Sequence, residues 1–216
     1  MRVLATSFLL VIMIGTVEGQ NRLFVDPDFK SIGYAHKTIA IIPFKTSITL
    51  RPKQMESLTK EQIDEMEKSE SLNIQKALYS WFLRRYQQGK LWVTVQDVNT
   101  TTAKLSREDI HYENLANFTP EELSSILGVD AVILGTFETN KPMSEGASLA
   151  LGVLFGFYGT TNSATLNMFI HNSDDGKVLV NYHKMVAGSL GSTPDQLVNI
   201  IMRKASRRIP YTKPKE

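Results

Sequence analysis

Apolar positions along the chain follow two spacings. Thr38–Phe44 (TIAIIPF) is a compact, Ile-rich run ended at Pro43, and its length and flanks predict a buried strand. A polar connection, 45–58, follows. Apolar residues then recur at Ile63, Met66, Ile74, Ala77, Leu78, Trp81 and Phe82, the spacing of one helix face. Thr59 with Gln62 three residues on forms a capping box, so a helix is predicted over 59–87 with Gly89 as its stop. The run 91–98 (LWVTVQDV) alternates and is β-branched, which predicts a second strand. The polar stretch 99–117 carries a short expected helix at 106–114. Thr119-Pro120-Glu121-Glu122 supplies an N-cap, a proline at the first helical position and a second capping box, and Gly128 ends that helix. The run 129–138 (VDAVILGTFE) is a third strand. Alternating runs at 162–172 and 178–186 flank Asp175-Gly176, a hairpin signal. Leu166, Met168 and Ile170 share one face of this hairpin, and Val178, Val180 and Tyr182 one face of the partner strand. Thr193-Pro194 opens a last helix to about Arg208.

The order β-α-β-α-β-β-β-α defines an α/β fold. Early alternation implies parallel strands joined by crossover helices, and the late hairpin adds antiparallel pairing. The expected architecture is a single domain, 38–209, with a mixed sheet of about five strands and helices packed on it. An extended arm, 20–37, precedes it and a short basic tail, 210–216, follows.

The beginning of the chain changes the picture from fold to address. Arg2 is followed by a charge-free run, Val3–Val17, and then by Glu18 with small residues at Gly15 and Gly19. This is the layout of a secretory signal peptide, 1–19, cleaved before Gln20. The run is shorter than the roughly 20 residues that span a bilayer. The chain has no cysteine, hence no disulfide and no acceptor for a lipid at the cleavage site. A net charge of +2 argues against a protein that wraps nucleic acid.

Catalytic and cofactor signatures are missing. Gly188-Ser189-Leu190-Gly191 does not match the nucleophile elbow, no phosphate-loop pattern occurs, and Gly152, Gly156 and Gly159 lack dinucleotide spacing. No cofactor and no metal are expected. With a two-residue Asp175-Gly176 turn, His171 faces Val180 and His183 faces Met168, so the two imidazoles are expected on opposite faces. Asp174-Asp175 fits turn chemistry and not a calcium loop. Arg203, Lys204, Arg207 and Arg208, with Lys213 and Lys215, read first as a solvated, charge-complementary helix end and second as a contact for anionic lipid or polymer. An enzymatic alternative would draw on scattered polar residues: Asp97, Asp109, His111 and Glu113.

The segment Gly146–Thr161 (GASLALGVLFGFYGTT) stands out. It holds no charged residue, and Leu149, Leu151, Val153, Leu154, Phe155, Phe157 and Tyr158 are interleaved with glycines. Exposed connections are normally polar. Three readings fit: a closely packed core element, a docking patch for a partner or a second copy, or a segment entering a membrane interface.

Three pieces together resemble a superfamily of bacterial envelope proteins: Ala40-Ile41-Ile42-Pro43-Phe44, then Leu127-Gly128-Val129-Asp130-Ala131-Val132-Ile133-Leu134-Gly135-Thr136, then Asp175-Gly176-Lys177-Val178-Leu179. Their order and spacing, over roughly 38–208, are similar to those of the curli secretion channel's periplasmic domain and the TolB amino-terminal domain. The resemblance implies an α/β sandwich exported to the periplasm or outer envelope. It implies roles in assembly, transport or scaffolding through oligomers, envelope partners or peripheral membrane contact, and no catalysis. Curli-channel proteins and their lipoprotein relatives carry a lipidated cysteine after the signal peptide; here the cut leaves Gln20, so a non-lipidated protein is expected.

Overall fold

The computed structural model describes residues 21–50, 52–139, 163–187 and 194–212. In chain order the elements are β1 (Asn21–Val25), α1 (Phe29–Gly33), β2 (Thr38–Ile41), β3 (Lys45–Ile48), α2 (Pro52–Met55), α3 (Lys60–Gln87), β4 (Thr94–Val95), α4 (Val98–Arg107), a 3-10 turn (Leu115–Asn117), α5 (Pro120–Leu127), β5 (Ala131–Thr139), β6 (Ser163–Asn172), β7 (Val178–Ala187) and α6 (Pro194–Arg208). The strands form one mixed sheet of seven in the order β1-β7-β6-β5-β2-β4, with β3 beside β5. β2 runs parallel to β4 and β5, and the β5-β6-β7-β1 side is antiparallel. The α/β class and the mixed sheet are as expected; β1 and β3 are the two strands beyond the expected five.

β3 comes from the stretch read as polar connection. Pro43 has no N–H to donate, so the first strand breaks after Ile41 and resumes at Lys45. Phe44 turns inward at the break and lies across Gly135 of β5. A Cβ on Gly135 would stand 2.4 Å from the Phe44 ring and 2.3 Å from the Asn167 carbonyl oxygen. β5 therefore pairs with β2 along Ala131–Ile133 and with β3 along Thr136–Thr139. Its start is fastened by Asp130, whose Oδ2 accepts the backbone N–H groups of Lys37 and Thr38 at 2.7 and 2.8 Å.

The inner face of the sheet packs on α3 and α6. Ile39, Ile41, Phe44, Ile133, Phe137, Leu166, Met168, Ile170, Val180 and Tyr182 form one buried cluster with Ile74, Leu78, Phe82, Val198, Ile201, Met202 and Ala205. Each buried Val, Leu, Ile, Phe or Met among them contributes about 1.5–3 kcal/mol by leaving water. On the outer face, Ala40, Ile42 and Val132 meet Leu105 of α4 and Leu123 and Leu127 of α5.

The capping predictions hold for α3 and α5: Thr59 and Thr119 accept from the N3 backbone, and Gln62 and Glu122 accept from the N-cap backbone in return. Gly128 ends α5 at φ +63°. Elsewhere the boundaries differ. The 91–98 strand shrinks to Thr94–Val95, because the Asp97 carboxylate accepts from Asn99 and Thr100 N–H and starts α4 eight residues before the expected 106–114 helix. The stretch 20–37 holds β1, paired with β7, and α1.

The hairpin turn is longer than the Asp-Gly reading. Asn172 N–H donates to Lys177 O and Gly176 N–H to Asn172 O, enclosing 173–176. His171 pairs with Val178 and Ile170 with Val180, so Leu179 is an extra residue. The bulge puts Val178 outward, against the expected shared face, and re-registers the strand so that His183 pairs with Asn167. His171 and His183 then lie on one face, contrary to expectation. They stay about 13 Å apart along β6, too far to share a ligand.

Candidate functional site

Three regions bring polar groups or open surface together. The first is a buried chain of hydrogen bonds that ties the hairpin turn to the end of the chain. Lys177 N–H and Asn172 Nδ2 both donate to Asp175 Oδ1, the latter at 2.8 Å. Asn172 therefore turns its Oδ1 toward His36 Nε2, 3.0 Å away. That makes Nε2 the donor and leaves Nδ1 of a neutral ring to accept the Tyr211 hydroxyl at 2.6 Å. Burial pushes the Tyr211 phenol well above its usual pKa, so it remains a donor. Phe29 and Trp92 pack on the same ring. Every member has a partner, so this network holds structure together.

The second region is a groove of about 530 Å³ opened on the outer face by the Pro43 break. Pro43, Leu134, Phe118 and Phe169 give it an apolar floor, and Lys45, Lys60, Asp64 and Glu113 a charged rim. Tyr112 spans it: its hydroxyl accepts the Thr46 N–H at 3.0 Å, and burial raises its pKa. The rim charges pair locally, Lys60 with Asp64 at 2.6 Å and Lys68 with Glu113 at 3.0 Å.

The third region is the far end of the sheet. α4 and α5 cover the outer face over β2, the start of β5 and the turn end of β6. Beyond them Phe24 and Met185 are 49% and 48% exposed on the outer face, while Leu23 and Val25, level with Tyr182 and Val180 on the opposite face of the sheet, are 44% and 37% exposed. Nothing in the sequence pattern marked this surface, because 20–37 alternates weakly and reads as irregular chain.

The residues of the enzymatic alternative do not converge. Asp97 caps the start of α4, whereas Asp109, at φ 56°, follows its end about 15 Å away. Asp109 Oδ1 lies 3.1 Å from His111 Nε2 on an exposed loop, and Glu113 is turned to Lys68. Among the described residues no group of three or more His, Asp or Glu could hold a metal ion. Leu149, Leu151, Val153, Leu154, Phe155, Phe157 and Tyr158 lie outside the described residues, as do Lys213 and Lys215. Of the basic cluster, Lys204, Arg207 and Arg208 are exposed, while half-buried Arg203 lines a cavity of about 400 Å³ with Trp81, Asn199 and Ile200. No described helix is long and apolar enough to cross a membrane.

No family model and no curated protein matches the sequence. Among solved structures the chain is similar to a PelC dodecamer from Paraburkholderia phytofirmans, at 10% identity and a TM-score of 0.40, over 88% of this chain and 97% of that one. It is similar to lipoprotein GNA1162 from Neisseria meningitidis at 14% identity and a TM-score of 0.40, over 79% and 94%. It is also similar to LpoB from E. coli at 11% identity and a TM-score of 0.36, over 88% and 85%. None of these three bears the curli-channel or TolB name, so that resemblance rests on its sequence motifs.

Proposed function

We propose that this chain is an exported, non-enzymatic accessory protein of a bacterial envelope. It acts as an assembly, transport or scaffold component in the periplasm or outer envelope, without a lipid anchor. It works by self-association or partner binding, and the apolar run 146–161 is its contact segment. The leader-like first residues and the order of the three motifs support export and the class. One observation carries the contact role. β5 and β6 pair without interruption up to Thr139 opposite Ala164. Adjacent antiparallel strands need a connection of only about 2–5 residues. The chain instead places all of 140–162 there, with a charge-free apolar stretch at its centre. Neither the length nor the apolarity is demanded by closing the hairpin, so both are available for an intermolecular role.

The test is to replace 141–161 by a short Asn-Gly turn. The shortened protein should keep its circular dichroism spectrum and unfold cooperatively, yet lose its assembly or envelope association in fractionation and light scattering. Leu154→Glu with Phe157→Glu should do the same with less change to the chain. Failure of both proteins to fold would instead make the run part of the core and sink the proposal.

The groove beside Pro43 favours a second reading, a module that binds a small molecule or polymer. A ligand thermal-shift screen checks it, with Phe169→Asp as the variant that should abolish any shift.

A further inference from the structure

β1 forms one edge of the sheet, and among the described residues only β7 pairs with it. The Asp26 N–H donates to Leu179 O at 2.9 Å, which fixes the phase of the ladder. Hydrogen-bonded pairs alternate along antiparallel strands, so Arg22 and Phe24 direct their backbone groups to β7. Asn21, Leu23 and Val25 direct theirs to the open side. Natural proteins usually blunt such an edge with lysine, proline, a bulge or a covering element. β1 (NRLFV) has no lysine, no proline and no bulge in its register, its one charge is Arg22, and Leu23, Phe24 and Val25 are each more than a third exposed. The other end strand, β4, is only two residues long.

We propose that β1 pairs antiparallel with β1 of a second copy of this chain, about a two-fold axis at Leu23. In that register Leu23 faces Leu23 of the second copy and each donates to and accepts from the other. Asn21 faces Val25 in both directions, so every outward N–H and C=O of the strand finds a partner. Arg22 stands opposite Phe24 of the second copy, a cation beside an aromatic ring instead of against its own charge. Paired about Leu23, the strand sets Leu23 on Leu23 and its one charge, Arg22, on an aromatic ring, so no like charges face each other, which is why the occupant is a second copy. Five residues a side bury less than the ~1,200 Å² of a standard interface, so the dimer is weak and reversible. This contact lies on a different strand from the 146–161 run and does not depend on its role.

Amide hydrogen exchange and sedimentation on the full mature chain test the proposal. At low concentration the amides of Leu23 and Val25 should exchange fast while those of Arg22 and Phe24 are protected. At high concentration the first pair should become protected as the sedimentation coefficient rises. Leu23→Pro removes the outward donor and spares the ladder to β7, so it should weaken the dimer at least about tenfold. Leu23→Lys, which makes no demand on the backbone, should do the same by setting two ammonium groups together at the axis. Protection of Leu23 and Val25 already in the dilute monomer would mean that another part of the chain covers the edge, and would overturn the proposal. So would a dimer that survives both variants. Repeating the measurement with 141–161 replaced separates the two contacts: edge pairing should persist there whether or not envelope association is lost.

Discussion

The two faces of the β5-β6-β7 ribbon are made from alternate residues of the same strands and end in opposite states. Inward, Ile133, Phe137, Leu166, Met168, Ile170 and Tyr182 are buried under α3 and α6. Outward, Thr136, Asn167, Phe169 and His183 are half-buried, and Met185 is exposed. α4 and α5 reach β2, the start of β5 and the turn end of the hairpin, and leave the rest of that face open. The contrast teaches that the fold is complete once one face is covered. Features on the open side, namely the groove at Pro43 and the outward row of β1, are not required by the buried inner cluster and are free to serve contact.

That contrast breaks first under truncation. Phe137→Ala, on the closed face, should cost about 3–5 kcal/mol in urea unfolding. Phe169→Ala, nearly beside it on the open face, should cost less than half as much. Equal losses would mean that the open face is as well packed as the closed one.

Smaller but sharper is Gly135→Ala. The added methyl meets the Phe44 ring and a carbonyl oxygen, so about 1–3 kcal/mol of overpacking is expected. Phe44→Leu in the same chain should recover part of it, a non-additivity measurable in a double-mutant cycle.

Tyr211→Phe tests whether the closed side depends on its polar network as well as its apolar packing. It leaves His36 Nδ1 without a donor, and about 1–3 kcal/mol should be lost in thermal melts.

The smallest effect is at the periphery. Lys177 Nζ lies 2.9 Å from both Asp28 and Asp26, and these bonds raise its pKa. The hydrogen bond from Lys177, followed by that from the Asp28 N–H, holds the Asp26 carboxyl below its usual value. A depressed acid stabilises the fold above its unfolded pKa of about 4 and loses that contribution as pH falls through the folded value. Denaturant midpoints of Asp26→Asn should therefore fall below wild type near pH 6 and converge with it toward pH 2.

The motifs of the family resemblance turn out to be devices of the fold. Pro43-Phe44 and Gly135 are two halves of one contact, Asp130 pins the start of β2, and Asp175-Gly176 shapes the turn that feeds the His36 network. They were legible because each rests on a local constraint: a missing N–H, a missing Cβ, a side chain that caps its own backbone. α3, α5 and α6 were legible for the same reason, through capping boxes and helical spacing. β1 was not, since five residues with weak alternation become a strand only beside β7. β4 and α4 were misjudged because the Asp97 cap was outweighed by the alternation of 91–98.

By itself the sequence determined the α/β class, the capped helices, the inward alternation of β6 and the anomalous run 146–161, all set by interactions within a few residues. Only the tertiary structure decided the hairpin register, the side on which each histidine lies and which strand became the open edge. Those depend on hydrogen bonds between segments far apart in the chain, where one extra residue at Leu179 reassigns every side chain beyond it.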